Sequence, residues 1–190
     1  MKVGLFFGSF NPVHVGHLII AQTMLNESDC DQVWLVVSPQ NPLKDKATLA
    51  PETDRYTMCE LATQNHDQIF PSNYEFFLPK PSYTIDTLTH LTDQFPTYRF
   101  AVLMGSDNLN TIHKWKNYEA LLKYYPIYVY PRPNSEIKSL PSPLTQVISA
   151  PMLDISATRV REMIQSGKSV RYLLPEPVVE YLTANNLYAL

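Results

Sequence analysis

Residues 4–18, GLFFGSFNPVHVGHL, decide the fold of this chain. An apolar run ends at Gly8, a short loop with an Asn-Pro turn follows, and an apolar helical pattern begins around His14 and His17. A strand, a tight loop and a helix in this order present the positive end of a helix to a phosphate in an open α/β sheet. The stretch therefore predicts a nucleotide site, with both histidines directed at the bound phosphate from the first turn of the helix.

Size and composition indicate a folded protein with a local anion site. Of the 190 residues, 45% are hydrophobic and 17% are charged, which is ordinary for a globular domain. The net charge of −3 gives no general attraction to nucleic acid or to anionic lipid, so neither partner is expected. Two cysteines in no paired motif, and no membrane span or signal peptide core, favour the cytoplasm. The oligomeric state is left open, a homo-oligomer included.

Apolar segments alternate with helical patterns along the chain. The expected strands are 3–7, 33–37, 100–104 and 127–130, with two weaker ones at 74–77 and 147–149. The expected helices are 16–25, 52–63, 84–92, 118–124, 156–165 and 178–185. Strands that are apolar on both faces and separated by helices indicate a parallel sheet covered on both sides. We predict one α/β domain over residues 1–190, with a Rossmann-like, doubly wound, mainly parallel sheet and helices on both faces.

Polar residues follow several of these strands, where the ligands of such sheets bind. Gly8 and Ser9 end the first strand, and Gly105 and Asp107 follow the strand at 100–104. An acidic residue in that position can accept hydrogen bonds from ribose hydroxyls. Trp115 lies between two lysines, so its indole is a candidate stacking surface for a flat aromatic acid, although it could also anchor its own loop.

Three interpretations fit His14 and His17. They could cap and pack the start of a helix, or they could bind a metal. A zinc site is disfavoured because no cysteine or dense Asp/His cluster lies near them in the sequence. The third interpretation is nucleotidyl transfer, in which donors aimed at the α-phosphate stabilise the charge that develops there. The complete motif around the histidines favours the third interpretation.

Two motifs carry a family resemblance. GSFNPVHVGH, residues 8–17, resembles the (G/S)-(T/S)-F-(D/N)-P-x-H-x-G-H signature of the nucleotidyltransferase superfamily. PSYTIDTL, residues 81–88, is similar to a signature of the bacterial nicotinate-nucleotide adenylyltransferases, and the resemblance runs from about Val3 to Arg161. It implies transfer of the adenylyl group of ATP to nicotinate mononucleotide, which gives nicotinate adenine dinucleotide and pyrophosphate in NAD biosynthesis. ATP and nicotinate mononucleotide are thus the expected small-molecule partners.

The resemblance also implies an ATP site. DISATRVR, residues 154–161, looks like a capped helix start and resembles the family's I-S-S-T-x-x-R motif, with Ala157 in place of the second serine. Mg²⁺ is expected mainly on the ATP phosphates, with no metal site of its own on the protein. The implied catalytic residues are His14, His17, Lys44 and Arg161. The implied ATP-binding residues are Gly8, Ser9, Phe10, His14, His17, Gly105, Asp107, Ser156, Thr158 and Arg161.

The remaining implied contacts belong to the second substrate and to three basic residues. Lys44 matches a phosphate-binding lysine, although Leu43 replaces the family's histidine and a loop lysine is often only solvated. Arg55 matches a family arginine, but a surface ion pair explains it equally well, and Arg132 resembles an arginine on the adenine side. The implied substrate-binding residues are Asn11, Tyr83, Thr84, Trp115 and Tyr118, with Ser82 or Thr84 capping the helix that follows.

Two rival functions stay open at this point. An adenylyltransferase that acts on nicotinamide mononucleotide or phosphopantetheine would share the first motif, although residues 81–88 argue against the phosphopantetheine enzyme. A nucleotide-binding sensor that has lost turnover would keep the fold. Joint retention of His14, His17, Lys44 and Arg161 disfavours such a sensor.

Overall fold

A computed structural model describes residues 1–39 and 49–189 of the chain. The strands are β1 Lys2–Gly8, β2 Gln32–Val37, β3 Ile69–Ser72, β4 Arg99–Gly105, β5 Ile127–Tyr130 and β6 Thr145–Val147. The helices are α1 Val15–Glu27, α2 Glu52–Thr63, α3 Thr84–Gln94, α4 Ser106–Leu109, α5 Tyr118–Tyr124, α6 Ala157–Gln165 and α7 Glu176–Ala184. Short 3₁₀ turns cover Tyr74–Phe77 and Ile112–Lys114.

The six strands form one sheet in the order β3-β2-β1-β4-β5-β6, and every neighbouring pair is parallel. Phe6 of β1 lies opposite Leu35 of β2 on one side and Leu103 of β4 on the other. The strand order reverses between β1 and β4, and this reversal is where sheets of this type bind nucleotides. The predicted fold class is confirmed.

Successive side chains of the central strands pack alternately into two separate hydrophobic cores, one on each face of the sheet. Val3 and Leu5 of β1 pack with the buried residues of α3 and α5, whereas Phe6 packs with those of α1, α2, α6 and α7. Strand β4 divides in the same way, because Val102 and Leu103 belong to opposite cores. Side chains of successive strand residues point to opposite faces, so a strand that is apolar throughout must be covered on both sides. In the described ranges, 1–39 and 49–189, no helix has the length and apolarity needed to cross a bilayer.

The two weak strand predictions were wrong in position. Residues 74–77 form a 3₁₀ turn, and the strand is instead β3, just before it. Strand β3 contains Pro71 and lies at the edge of the sheet, where the missing N–H of proline is tolerated. The last strand is β6, two residues earlier than expected, and it is also short and at an edge.

Candidate active site

The two histidines stack on each other at the start of α1. His14 is the residue before the helix, and His17 lies in its first turn. Their ring centroids are 3.6 Å apart with an angle of 19° between the planes, and the His14 backbone N–H donates to His17 Nδ1 at 3.2 Å. The two imidazoles therefore form one unit at the positive end of the helix, where an anion is favoured.

His14 is neutral at physiological pH. Its side chain is buried, and this burial, together with the positive charge of Arg132, lowers its pKa to about 4. Nδ1 of His14 is buried without a hydrogen-bond partner among the described residues. The ring packs so closely on Gly16 that a Cβ there would lie 3.0 Å from Nδ1. Glycine in the H-x-G-H sequence thus lets the imidazole lie flat against the helix backbone.

Phe10 orients the second histidine. Its ring packs over Gly8, where a Cβ would approach it to 2.9 Å, and it meets the His17 ring edge-on at 5.0 Å. The Phe10 side chain is only 2% exposed. The ring therefore packs inside the protein and holds His17, and the ATP contact of Phe10 stays a prediction.

The late helix start lies against the first loop. Ser156 caps α6 by accepting a hydrogen bond from the Arg159 backbone N–H at 3.2 Å. Arg161 Nη1 donates to the Asn11 carbonyl at 2.8 Å, across 150 residues of sequence. Ala157 is the first residue of α6, so its N–H is among those that the helix itself leaves unpaired. The structure thus brings the histidines together with the predicted Ser156–Arg161 segment, with Thr158 exposed beside them.

Arg55 is buried, and the surface ion pair considered for it was wrong. Its guanidinium is 0% exposed and donates four hydrogen bonds to backbone carbonyls. The acceptors lie in the loops after β1 and β2 and just before α2: Ser9 at 2.6 Å, Ser38 at 2.8 Å, Pro39 at 3.0 Å and Ala50 at 3.0 Å. Sequence periodicity missed this role because the acceptors are carbonyls, which every residue carries.

Asn11 joins three distant parts of the chain. Its side-chain oxygen accepts hydrogen bonds from the Ala50 N–H at 3.0 Å and from the Tyr188 hydroxyl at 2.8 Å, while its carbonyl accepts from Arg161. Burial raises the pKa of Tyr188, so its hydroxyl remains protonated and able to donate. Asn11 was predicted to bind substrate, and these contacts give it a role in fixing the loop. Tyr188 carries no sequence motif and was not predicted.

The end of β4 contributes an acidic residue and an arginine. Asp107 lies in the short helix α4, and its Oδ1 is 3.9 Å from Arg132 Nε. A Cβ on Gly105 would collide with the Asp107 carboxylate and lie 2.8 Å from Arg132 Cδ. Because Gly105 has no side chain, both of these side chains can lie against the carboxyl end of β4, next to β1. Through its effect on the pKa of His14, Arg132 links this edge to the stacked histidines.

The segments predicted to hold the pyridine lie side by side. Lys116, next to Trp115, forms an ion pair with Asp86 at 2.7 Å and lies 4.9 Å above the Tyr83 ring. Tyr83 is 37% exposed and precedes α3, and Trp115 and Tyr118 are partly buried against the core that contains α3 and α5. Trp115 thus anchors its loop and still keeps some exposed surface. The expected side-chain cap of α3 was wrong, because neither Ser82 nor Thr84 occupies the cap position.

Lys44, one of the four predicted catalytic residues, lies outside the described residues. The other predicted site residues lie at the carboxyl ends of β1 and β4, at the starts of α1, α3 and α6, and, for Trp115 and Tyr118, just before and at the start of α5. Their roles toward substrate stay predictions.

Comparison with known proteins settles the family. Residues 5–163 match the cytidylyltransferase-like family. The chain is 49% identical to a probable nicotinate-nucleotide adenylyltransferase of Flavobacterium psychrophilum over 191 residues, which covers 99% of each protein. A relative of the same name from Bacteroides thetaiotaomicron is 39% identical over 183 residues, which covers 96% of this chain and 91% of the relative. The chain belongs to the nicotinate-nucleotide adenylyltransferase family. The resemblance found in the sequence is thereby confirmed.

A solved structure shares the fold of this family member. The nicotinic acid mononucleotide adenylyltransferase of Plasmodium falciparum, complexed with NaAD, superimposes with a TM-score of 0.83 over 98% of this chain and 97% of that one. The sequence identity is 20%, so the likeness shows the fold and no more.

We expect replacement of Arg55 by leucine to lower the free energy of unfolding by about 3 kcal/mol. Four buried carbonyls would lose their donor, and each unsatisfied buried polar group is costly. Denaturant unfolding followed by circular dichroism measures the change. Arg55→Lys is the matched control, because it keeps the charge but cannot reach all four carbonyls. Its free energy of unfolding should lie between those of the leucine variant and the wild type. A leucine variant as stable as wild type would contradict the role assigned to Arg55.

Proposed function

We propose that the chain transfers the adenylyl group of ATP to nicotinate mononucleotide through the site formed by the starts of α1 and α6. The proposal rests on one observation. The stacked pair His14–His17 and the start of α6 lie together near the end of β1, where the strand order of the sheet reverses. There Arg161 donates a hydrogen bond to the Asn11 carbonyl. Two helix N-termini that face one place suit a triphosphate. The family to which the chain belongs supports this reaction.

The chemistry is a single in-line displacement at the α-phosphorus of ATP. An oxygen of the 5′-phosphate of nicotinate mononucleotide forms a bond to that phosphorus, while the bond to the bridging oxygen of the β-phosphate breaks. Pyrophosphate leaves with the electron pair, and nicotinate adenine dinucleotide forms. Charge develops on the equatorial oxygens of the α-phosphate, and hydrogen-bond donors fixed at that position lower the barrier.

We assign those donors to the imidazoles. His17 would donate to the α-phosphate, with the neutral ring of His14 stacked behind it and Phe10 fixing its orientation. Ser156, Thr158, Arg161 and the free N–H groups of α6 would hold the β- and γ-phosphates. Lys44 would neutralise a phosphate from the loop after β2, and Asp107 would accept from a ribose.

We place the pyridine of nicotinate mononucleotide between Tyr83 and Trp115, with the substrate carboxylate near Thr84. Lys116 lies in the same region, over the Tyr83 ring, but its charge is matched by Asp86. The hydroxyl and backbone N–H of Thr84 would therefore be the donors that recognise the acid. The phosphate of this substrate would then reach toward Asn11 and the histidines, which lie at the neighbouring strand end.

Mg²⁺ would enter this site as part of the MgATP substrate. The groups that surround the proposed triphosphate are imidazoles, hydroxyls, N–H groups and an arginine, which suit an anion and not a divalent cation. In residues 1–39 and 49–189, no three His, Cys, Asp or Glu side chains come together as a metal site. We also propose a reducing, cytoplasmic setting, to which the buried free thiols of Cys30 and Cys59 are suited.

A pyrophosphate-release assay with ATP tests the proposed reaction. We expect rapid release with nicotinate mononucleotide and slower release, by about tenfold or more, with nicotinamide mononucleotide, because the amide NH₂ group is a donor and cannot accept the hydrogen bonds that Thr84 would offer to a carboxylate. Phosphopantetheine is the control acceptor and should give none. A preference for nicotinamide mononucleotide would favour the rival adenylyltransferase that acts on this amide. If no acceptor gave pyrophosphate, the nucleotide-binding sensor would be the better interpretation.

We expect His17→Ala to lower kcat by about 10²–10³-fold with little change in the KM for ATP, because a donor to the developing charge acts mainly in the transition state. Steady-state kinetics measures both constants. His113→Ala, an exposed histidine away from the stacked pair, is the matched control and should keep full turnover. A His17 variant with most of its kcat would remove this residue from the mechanism.

We expect Trp115→Ala to raise the KM for nicotinate mononucleotide about tenfold and to leave the KM for ATP unchanged, because loss of a stacking ring weakens the pyridine end alone. Trp34→Phe, at the tryptophan of β2 that stacks on Tyr74, serves as the control for loss of an indole. The reverse pattern of KM values would mean that the two substrates bind in exchanged positions.

A further inference from the structure

We propose that Glu75 is a positioning residue for the nicotinate half of the site, acting through Ser82 and Thr87 on the Tyr83–Thr84 turn between them. The inference rests on the proposed function for the identity of the ligand, and it adds a residue that lies outside every motif considered in the sequence. Glu75 touches no substrate in this proposal; it fixes the segment that does.

The carboxylate of Glu75 is buried and bound by hydroxyl groups. Its residue is 2% exposed, within the 3₁₀ turn that follows β3. Oε2 accepts a hydrogen bond from Ser82 Oγ at 2.9 Å, and Oε1 accepts one from Thr87 Oγ1 at 2.9 Å. The Ser38 hydroxyl also hydrogen-bonds to this carboxylate. One side chain thus joins the end of β2 to both sides of the Tyr83–Thr84 turn.

The hydrogen bonds separate the residues of the PSYTIDTL motif into two groups, one that holds the turn and one that is exposed. Ser82 and Thr87 direct their hydroxyls inward to the same carboxylate, whereas Tyr83, between them, is 37% exposed. The backbone N–H of Thr87 donates to the Tyr83 carbonyl at 3.1 Å, which joins the turn to the first turn of α3. Neither Ser82 nor Thr84 caps the helix, and Glu75 supplies the restraint that a side-chain cap would otherwise give.

Stability alone would not select this arrangement. Burial of a carboxylate is costly, and an apolar side chain of similar size often serves a core equally well. The pKa of Glu75 is raised by its burial, although the hydroxyls that donate to it oppose the shift. What a carboxylate adds over an apolar residue is direction, because two oxygens accept from fixed positions. The direction acts on the backbone of Tyr83, where the proposed pyridine pocket begins.

Kinetics of Ser82→Ala, Thr87→Val, Glu75→Gln and Glu75→Ala tests the inference. For Ser82→Ala and Thr87→Val we expect the KM for nicotinate mononucleotide to rise about fivefold, the effect of one hydrogen bond, with the KM for ATP within about twofold of wild type. Glu75→Ala should show the largest rise. Glu75→Gln should recover part of the loss, since an amide keeps one acceptor oxygen. Glu180→Gln, on the exposed side of α7, is the matched control and should match wild type.

Hydrogen–deuterium exchange of residues 81–88 gives a second measurement that does not depend on turnover. Because Ser82 is partly exposed, Ser82→Ala should fold even if Glu75→Ala does not. We expect faster exchange at the Tyr83–Thr84 turn in the variant and unchanged exchange in α1. Unchanged exchange at this turn, or a loss of kcat with both KM values unchanged, would overturn the positioning role. A wild-type protein that does not use nicotinate mononucleotide would instead overturn the proposed function, and the exchange result would still decide the role of Glu75.

Discussion

The candidate active site of this protein depends on one buried guanidinium. Arg55 lies inside the molecule. It donates hydrogen bonds to carbonyls of the loops that follow β1 and β2 and to the carbonyl of Ala50, just before α2. Burial of a cation costs several kcal/mol unless dipoles surround it. The backbone must therefore keep its carbonyls converged on Arg55, and this requirement fixes the loop that delivers His14 to the start of α1.

Asn11 extends the same restraint to the far end of the chain. It accepts from Ala50, Arg161 and Tyr188, which are 39, 150 and 177 residues away in the sequence. A loop held from so many sides has few conformations left to explore, and loss of that freedom is paid during folding and not during the reaction. The loop after β1 and the start of α6 are consequently held together through Asn11.

The sequence was sufficient where the structure is local or strongly periodic. Strands β1, β2, β4 and β5 were predictable because they are apolar on both faces. The stretch around His14 indicated the superfamily, and residues 81–88 indicated the family. Strand β3 was missed because Pro71 obscures it, and the aromatic residues after it suggested a strand where a 3₁₀ turn forms. The roles of Arg55, Glu75 and Tyr188 could not be read from spacing, since each depends on partners brought close only by the completed sheet.

The stacked histidines explain why so much of the fold is devoted to rigidity. His14 is neutral, so the pair cannot attract phosphate by the sum of two full charges. Neutral donors stabilise a developing charge only when they already point at it, because a hydrogen bond weakens steeply with misalignment. Phe10 against one ring and Gly16 beneath the other leave the imidazoles little room to turn. The restraints at Arg55 and Asn11 then maintain the alignment. In the reaction that we propose, orientation and not net charge would therefore be the source of transition-state stabilisation.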